Sequence, residues 1–267
     1  YPIILMIWAF ISLLSSAIPS TTNPEKYTPP EKVILYVIRN LNLISLSERH
    51  DFSTDFILLV FVGYYLVLAI MYTVIAIYYK NETTPMIYKV CLWVVAQLHE
   101  LYFWLLFPWD MQVHSKVAIV EFSHWSFSIL ALLTFIIPVL YVIWIRYTDI
   151  EINYTGRIPT SAPYSNFYWI YIGGVTFLSI NEELVTTIHS EAFELVLNMI
   201  LGIVLSGVNF KEFGFTCNSM RKIVGAILAE YTYFCFWIIL KFHTDIEFNL
   251  ALLLYIGFLL IPKAYAH

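Results

Sequence analysis

The sequence predicts an all-α fold, a polytopic transmembrane helical bundle. Hydrophobic residues make up 60% of its 267 residues, charged residues only 12%, and the mean hydropathy is +0.74. Such a chain has too few polar side chains to cover a surface that faces water. Inside a bilayer every backbone polar group must be paired within the protein, which an α-helix achieves within one segment. We therefore expect the chain to be mostly helical.

Eight apolar segments approach the roughly 20 residues that a spanning helix needs. In chain order they are 3–18, 56–79, 86–109, 117–147, 166–180, 193–210, 219–242 and 248–262. The breaks at 80–85 and 108–110 each combine a charged residue with a proline. Because proline cannot continue a regular helix, both breaks are predicted to be loops.

The first 55 residues are predicted to be an N-terminal extension. It contains a short apolar helix at 3–18 and, at 31–54, a half-polar segment that could lie along the membrane interface as an amphipathic helix. The remaining residues, 56–267, hold the other seven apolar segments. They are predicted to form a seven-helix transmembrane bundle.

Charge and motif content exclude several classes of function. The net charge is −5 and the basic residues are scattered, so a nucleic-acid-binding surface is unsupported. Cys91, Cys217 and Cys235 fall in or beside apolar stretches, as buried thiols do. The sequence contains no Cys-x-x-Cys, no His-x-x-x-His and no phosphate-binding loop. The chain is therefore expected to bind no haem or metal of its own.

Carboxylates and histidines within apolar segments are the candidate functional residues. An ionisable group in a membrane is costly and usually faces another helix, a water-filled cavity or a lipid head group. Those singled out are Glu100, Glu121, Glu182, Glu183, Glu194, Glu212 and Glu230, with His99, His124 and His189. Access to water at a helix end explains Glu182, Glu183 and Glu212 equally well. Isolated histidines, His114 included, are typical of hydrogen-bonded core residues.

Three blocks in the second half of the chain are spaced like the helices of a known family. The first contains Pro163, Asn166 and Gly174; the second contains Gly202, Asn209 and Glu212; the third contains Gly225, His243 and Glu247. In order and spacing they resemble the fourth, the fifth, and the sixth to seventh helices of cytochrome c oxidase subunit III, mitochondrial type. Glu182 and Glu183 stand where that family has paired histidines.

The resemblance also implies a buried glutamate in the third helix of the family. Counting back from Pro163 identifies Glu121, and Glu100 is the rival. On this reading Glu121, His243 and Glu247 are the lipid-binding or buried polar residues. The other matched positions, from Pro163 to Gly225, are structural.

The resemblance implies a function within a complex. Members of this family are non-catalytic core subunits of the haem-copper cytochrome c oxidase, respiratory complex IV. They stabilise subunit I, hold phospholipid and support proton uptake while electrons pass from cytochrome c to oxygen. Haem a and copper are expected in partner subunits, and the partners are subunits I and II with accessory subunits. The implied location is the mitochondrial inner membrane, in multi-pass form.

Two alternatives remain open from the sequence. The chain could be another polytopic respiratory subunit or an ATP synthase subunit. It could also be the membrane sensor or channel module of a larger receptor.

Overall fold

The computed structural model describes residues 2–17, 27–40, 53–78, 86–119, 125–153, 166–185, 191–211 and 218–243. Nearly all of these residues are helical, and no strand occurs among them. The all-α prediction is confirmed for this part of the chain. The α-helices are α1 (Pro2–Ala17), α2 (Pro29–Asn40), α3 (Thr54–Tyr78), α4 (Met86–Leu101), α5 (Phe107–Ile119), α6 (Trp125–Thr134), α7 (Ile136–Asn153), α8 (Asn166–Val185), α9 (Glu191–Lys211) and α10 (Asn218–His243). One π-helical turn, π1 (Tyr102–Leu106), joins α4 to α5.

Five helical stretches within the described ranges are long and apolar enough to cross a membrane, as in a multi-pass membrane protein. They are Thr54–Tyr78, Met86–Ile119, Trp125–Ile145, Phe193–Lys211 and Arg221–Lys241. The expected count of seven is not confirmed. Helix α8 is not among the five, Ile4–Ser15 is a shorter apolar helix, and the segment 248–262 lies outside the described residues.

The loop predicted at 108–110 is wrong, because the chain is helical without interruption from Met86 to Ile119. The π turn explains the error. The backbone N–H of Phe107 donates to the carbonyl of Tyr102, five residues earlier. This wider turn comes directly before Pro108 and gives the helix a place to accommodate the proline ring.

The segment predicted as one span at 117–147 is divided differently in the structure. Its first residues, 117–119, end α5, and α6 begins at Trp125. Helices α6 and α7 meet at Phe135, which adopts a turn. Pro138 lies in the first turn of α7, where a missing N–H costs no helical hydrogen bond.

Helix α1 lies in the middle of the described helices. Met6, Ala9, Phe10 and Leu13 are almost fully buried. The helix packs against α2, π1, α5, α8, α9 and α10, so it shares one hydrophobic core with both halves of the chain. The boundary drawn at residue 55 stays a prediction, but α1 itself is a core element.

Helix α2 is held to the bundle at its first turn. The Nζ of Lys241, on α10, lies 3.3 Å from Glu31 Oε2, and both side chains are buried. The same carboxylate oxygen accepts the backbone N–H of Thr28 at 2.8 Å. Lys241 Nζ also lies 6.0 Å from the ring centroids of Tyr27 and Trp237. Glu31 thus caps α2 and fixes it to α10.

Candidate functional site

One face of α3 carries the tyrosines that build the candidate site. Leu58, Phe61 and Leu68 are buried and spaced three or seven residues apart. Tyr65 and Tyr72 continue this spacing, so they lie on the same face of the helix. That face packs against α4 and α5.

The π turn brings Tyr102 and Asp110 to one face of the long helix. With the extra residue absorbed in the turn, Asp110 follows Tyr102 by about seven α-helical steps of roughly 100° each, which ends about 20° from the same face. Eight steps of a regular helix would place the two residues about 80° apart. A local change of helix type therefore aligns two polar side chains that the sequence alone places apart.

These residues form the Asp110 cluster, which consists of Tyr65, Tyr102, Asp110, His114 and Thr134. The side chains of Asp110 and His114 have no exposed surface, and Nδ1 of the histidine lies 2.8 Å from Oδ1 of the aspartate. The hydroxyls of Tyr65 and Tyr102 both lie within hydrogen-bond reach of Asp110 Oδ2. The two tyrosine oxygens are 2.6 Å apart. Three elements, α3, π1 and α5, thus converge on one carboxylate.

Each ring nitrogen of His114 faces an oxygen atom. Thr134 Oγ1 donates to the carbonyl of Leu130 at 2.7 Å, so its hydroxyl proton is committed. With that proton so placed, the histidine Nε2, 3.0 Å away, donates to Thr134. Nδ1 faces the carbonyl oxygen of Asp110 at 2.9 Å and must donate as well. An imidazolium with protons on both nitrogens, paired with the Asp110 carboxylate, fits these contacts.

This arrangement leaves one acceptor position on the carboxylate. The Oδ1 atom of Asp110 accepts no aligned hydrogen bond from the described residues, since the Nδ1–H of His114 points to the backbone carbonyl. Oδ1 is nevertheless within 2.8 Å of that nitrogen. A small reorientation of the imidazolium would pass its proton to the aspartate. The two atoms are therefore close enough to share a proton.

A second polar group lies nearer the start of the long helix. We call Tyr72, His99 and Trp144 the His99 group. The hydroxyl of Tyr72 is 2.5 Å from His99 Nε2 and accepts the indole N–H of Trp144 at 3.3 Å. His99 is 15 residues before His114 on the same helix, a rise of about 22 Å. For comparison, the hydrocarbon core of a bilayer is roughly 30 Å thick.

Aromatic rings fill the space between the two groups. The ring of Tyr141 lies 5.7 Å from that of His99 and 4.7 Å from that of Tyr102, between centroids. Tyr64 stacks on Tyr102 at 5.4 Å, and its hydroxyl is 3.5 Å from that of Tyr141. Tyr141 thus contacts both groups. Any proton passing from one to the other would need a water molecule or a side-chain rotation at this point.

Several residues of the oxidase resemblance meet where α8, α9 and α10 pack. A Cβ at Gly174 would overlap Leu201, and a Cβ at Gly202 would overlap Thr232 and crowd Tyr231. Glycine at these two positions lets the helices approach closely, as small residues do in membrane bundles.

The remaining sequence-predicted residues are spread over the fold. The side-chain Nδ2 of Asn209 donates to the carbonyl of Arg221 at 3.1 Å, which ties α9 to α10. Asn166 is exposed at the start of α8, and Gly225 is buried in α10. His243 is the last residue of α10. Glu121, Pro163, Glu212 and Glu247 lie outside the described residues. The assigned roles of all these residues stay predictions.

Sequence reasoning missed the Asp110 cluster. It assigned Asp110 to a loop and treated His114 as an isolated core histidine, and it gave Tyr65 and Tyr102 no role. One signal was present: Asp110 and His114 stand four residues apart, the spacing of neighbours on a helix face. This spacing was not interpreted as a helix face, because Pro108 suggested that no helix runs through this stretch.

The sequence matches no protein-family model, and neither a curated protein nor a solved structure is similar enough to count as a match.

Proposed function

We propose that this protein is a proton-responsive membrane module of the sensor or channel class, with the Asp110–His114 pair as its protonation site. One observation carries the proposal: a carboxylate and an imidazole in direct contact, both without exposed surface, inside a helix long and apolar enough to span a membrane. Ionisable residues in such positions are rare and mark proton relays, ion paths and switches.

The surroundings of the pair explain how protonation could change the structure. The ion pair as described is neutral overall. Loss of its shared proton would leave a net negative charge in a buried site, which is costly unless the site rearranges. Tyr65 on α3, Tyr102 on π1 and Thr134 on α6 all bond to the pair. A change of charge would therefore change the contacts among these helices.

The test is an infrared titration of the purified protein in lipid nanodiscs, between about pH 4 and pH 9. We expect a carboxylate signal that Asp110→Asn removes, accompanied by a pH-dependent change in hydrogen exchange across α5 and α6. The matched control is Glu100→Gln, the same chemical change elsewhere on the long helix. The proposal would be overturned if the infrared signal remained in Asp110→Asn, or if the hydrogen-exchange rates of α5 and α6 did not change with pH. Either result would mean that the cluster has only a structural role.

A second candidate function is that of a non-catalytic subunit III of the haem-copper oxidase, bound to phospholipid and to subunits I and II in the mitochondrial inner membrane. The observation that favours it is the packing of α8, α9 and α10. Gly174 and Gly202, two positions of the resemblance, lie where neighbouring side chains leave no room for a Cβ. Asn209, a third, bonds across the α9–α10 contact. A subunit that acts by packing would depend on such positions.

Purification from native membranes in mild detergent tests this second candidate. Haem a absorbance and co-purifying oxidase subunits would support it, and both should fall when Gly202→Leu disrupts the α9–α10 contact. The control is Gly207→Leu on the same helix, where a Cβ would meet nothing within 4 Å. A haem-free preparation of intact protein would overturn it.

A further inference from the structure

A groove of about 590 Å³ opens between α1, α2 and α10, apart from the Asp110 cluster. Small-molecule sites typically have volumes of about 300–1,000 Å³. The lining is almost entirely apolar, and the two charged side chains in it, Lys222 and Glu230, both belong to α10. Phe10, Tyr231 and Phe234 are buried along its floor, whereas Ile7 and Ile34 are 40% and 37% exposed. The groove is therefore accessible from one side.

Glu230 is the chemically unusual member of this lining. Both carboxylate oxygens are buried, and neither has a hydrogen-bond partner among the described residues. Lys222 precedes it by eight residues on the same helix, a rise of about 12 Å, and does not hydrogen-bond to it. A carboxylate in apolar surroundings normally acquires a counter-charge or hydrogen-bond donors.

We propose that this groove binds a single-chain lipid amine, with its ammonium group on Glu230 and its hydrocarbon chain along the aliphatic walls. An ammonium group supplies both things that the carboxylate lacks, a positive charge and hydrogen-bond donors. The isoleucine and phenylalanine side chains of α1, α2 and α10 supply an apolar wall for the chain. Repulsion from Lys222 keeps the ammonium group at the Glu230 position.

The experiment is native mass spectrometry of the purified full chain in detergent, with hexadecylamine, hexadecanol and hexadecanoic acid as probes. We expect the protein to retain hexadecylamine in preference to the alcohol and the acid. Glu230→Gln should weaken hexadecylamine binding by about tenfold or more, since it removes the charge of a buried pair. Hexadecanoic acid binding should not fall in this variant, because the acid gains nothing from a carboxylate.

Two further variants keep the test sharp. Ala226→Trp fills the groove between the two charged residues and should abolish binding of every probe. Glu183→Gln makes the same chemical change at a buried glutamate of α8 that does not line the groove, and it should bind hexadecylamine like the unmodified protein. Size-exclusion chromatography checks that each variant is folded and monodisperse.

Three results would overturn the proposal. Equal retention of the amine and the alcohol would mean that hydrogen bonding, not charge, selects the ligand. Hexadecylamine binding that is unchanged in Glu230→Gln would mean that the carboxylate takes no part. Failure of all three probes to bind would mean that another stretch of protein fills the groove. None of these results bears on the Asp110–His114 pair, which shares no residue with this site.

Discussion

Asp110 shows how much one residue can depend on its neighbours in a membrane protein. Its carboxylate has no exposed surface, and the groups that stabilise it come from His114 and two tyrosines. A charge of this kind is tolerated only while its partners remain in place. The effects of substitutions within the cluster on the free energy of unfolding should therefore be strongly non-additive.

We predict that Asp110→Ala lowers the free energy of unfolding by about 3–5 kcal/mol, because it leaves the His114 imidazolium buried without a counter-charge. The double variant Asp110→Ala, His114→Ala should also be less stable than the unmodified protein. Its loss in the free energy of unfolding should be smaller, by at least about 1 kcal/mol, than the sum of the losses in the two single variants. The measurement is denaturant unfolding in micelles, followed by near-ultraviolet circular dichroism. Gln112→Ala, at a buried neighbouring position on α5, is the control and should combine additively with His114→Ala. Simple additivity of the Asp110 and His114 changes would contradict the coupling.

Tyr27 gives a prediction for alkaline pH outside the spanning helices. Burial, followed by the charge of Glu31, raises the pKa of Tyr27 above its usual value of 10.0. As pH rises past about 10, the unfolded chain loses this proton before the folded one does, so folding stability falls. We expect the free energy of unfolding to decline more steeply between about pH 9 and 11 in the unmodified protein than in Tyr27→Phe. Identical pH profiles would show that Tyr27 does not contribute.

At the scale of single helices, the sequence predicted which segments are helical but not where a helix is interrupted. Composition and apolar run length predicted helices at 56–79 and 193–210, because long apolar segments in a bilayer have few other options. The same rules placed a loop at 108–110, because proline and a charge usually mark one. The π turn accommodates Pro108 and aligns Tyr102 with Asp110. It is a local backbone conformation that no residue type in the sequence predicts. The candidate site was missed for that reason.

A larger side chain should destabilise the contact between α9 and α10 at Gly202 but not at Gly207. We predict that Gly202→Ala costs about 1–3 kcal/mol, because the new methyl group would overlap Thr232. Thr232→Ala in the same chain should recover part of this loss. Gly207→Ala, with nothing within 4 Å, should be neutral or stabilise the helix by up to about 1 kcal/mol. Unfolding in micelles measures all three; an equal effect at both glycines would argue against close packing at Gly202.

A buried ion pair between Glu31 and Lys241 joins α2 to α10. We predict that Glu31→Ala raises the rate of hydrogen exchange throughout Pro29–Asn40, since Lys241 would lose its Glu31 contact and Thr28 would lose its acceptor. Lys32→Ala, one residue later, should leave the exchange rate unchanged. Mass spectrometry of the exchanged peptides measures both. Equal protection of α2 in the two variants would mean that apolar contacts alone hold it.

At the scale of the whole molecule, the exposed surface is itself apolar. Leu66 and Ile70 on α3 are 62% and 64% exposed, and Leu133 on α6 is 72% exposed. On a protein in water such a surface would aggregate, whereas lipid acyl chains cover it without cost. The low charge content of the sequence predicted this outcome. The packing order of the helices was not predictable, because almost every face is apolar and hydropathy cannot tell lipid from protein.

We predict that Ile70→Arg, near the middle of α3, impairs membrane insertion. An arginine at the centre of a spanning helix costs about 2.5–3.5 kcal/mol on insertion scales. Val33→Arg, on the 12-residue helix α2, is the matched control, since Val33 is similarly exposed at 61% but α2 is too short to span. Glycosylation mapping in microsomes measures the inserted fraction of each variant. Equal insertion of both variants would argue against α3 as a span.

The central position of α1 has a consequence for the order of events during synthesis. Its 16 residues extend about 24 Å, less than the hydrocarbon thickness of a bilayer. The ribosome makes α1 before every helix that surrounds it, and α9 and α10 begin only at Glu191 and Asn218. Until then α1 lacks the packing partners that α9 and α10 provide. Biogenesis of this protein therefore depends on a step, after α9 and α10 have been made, in which these helices pack around α1.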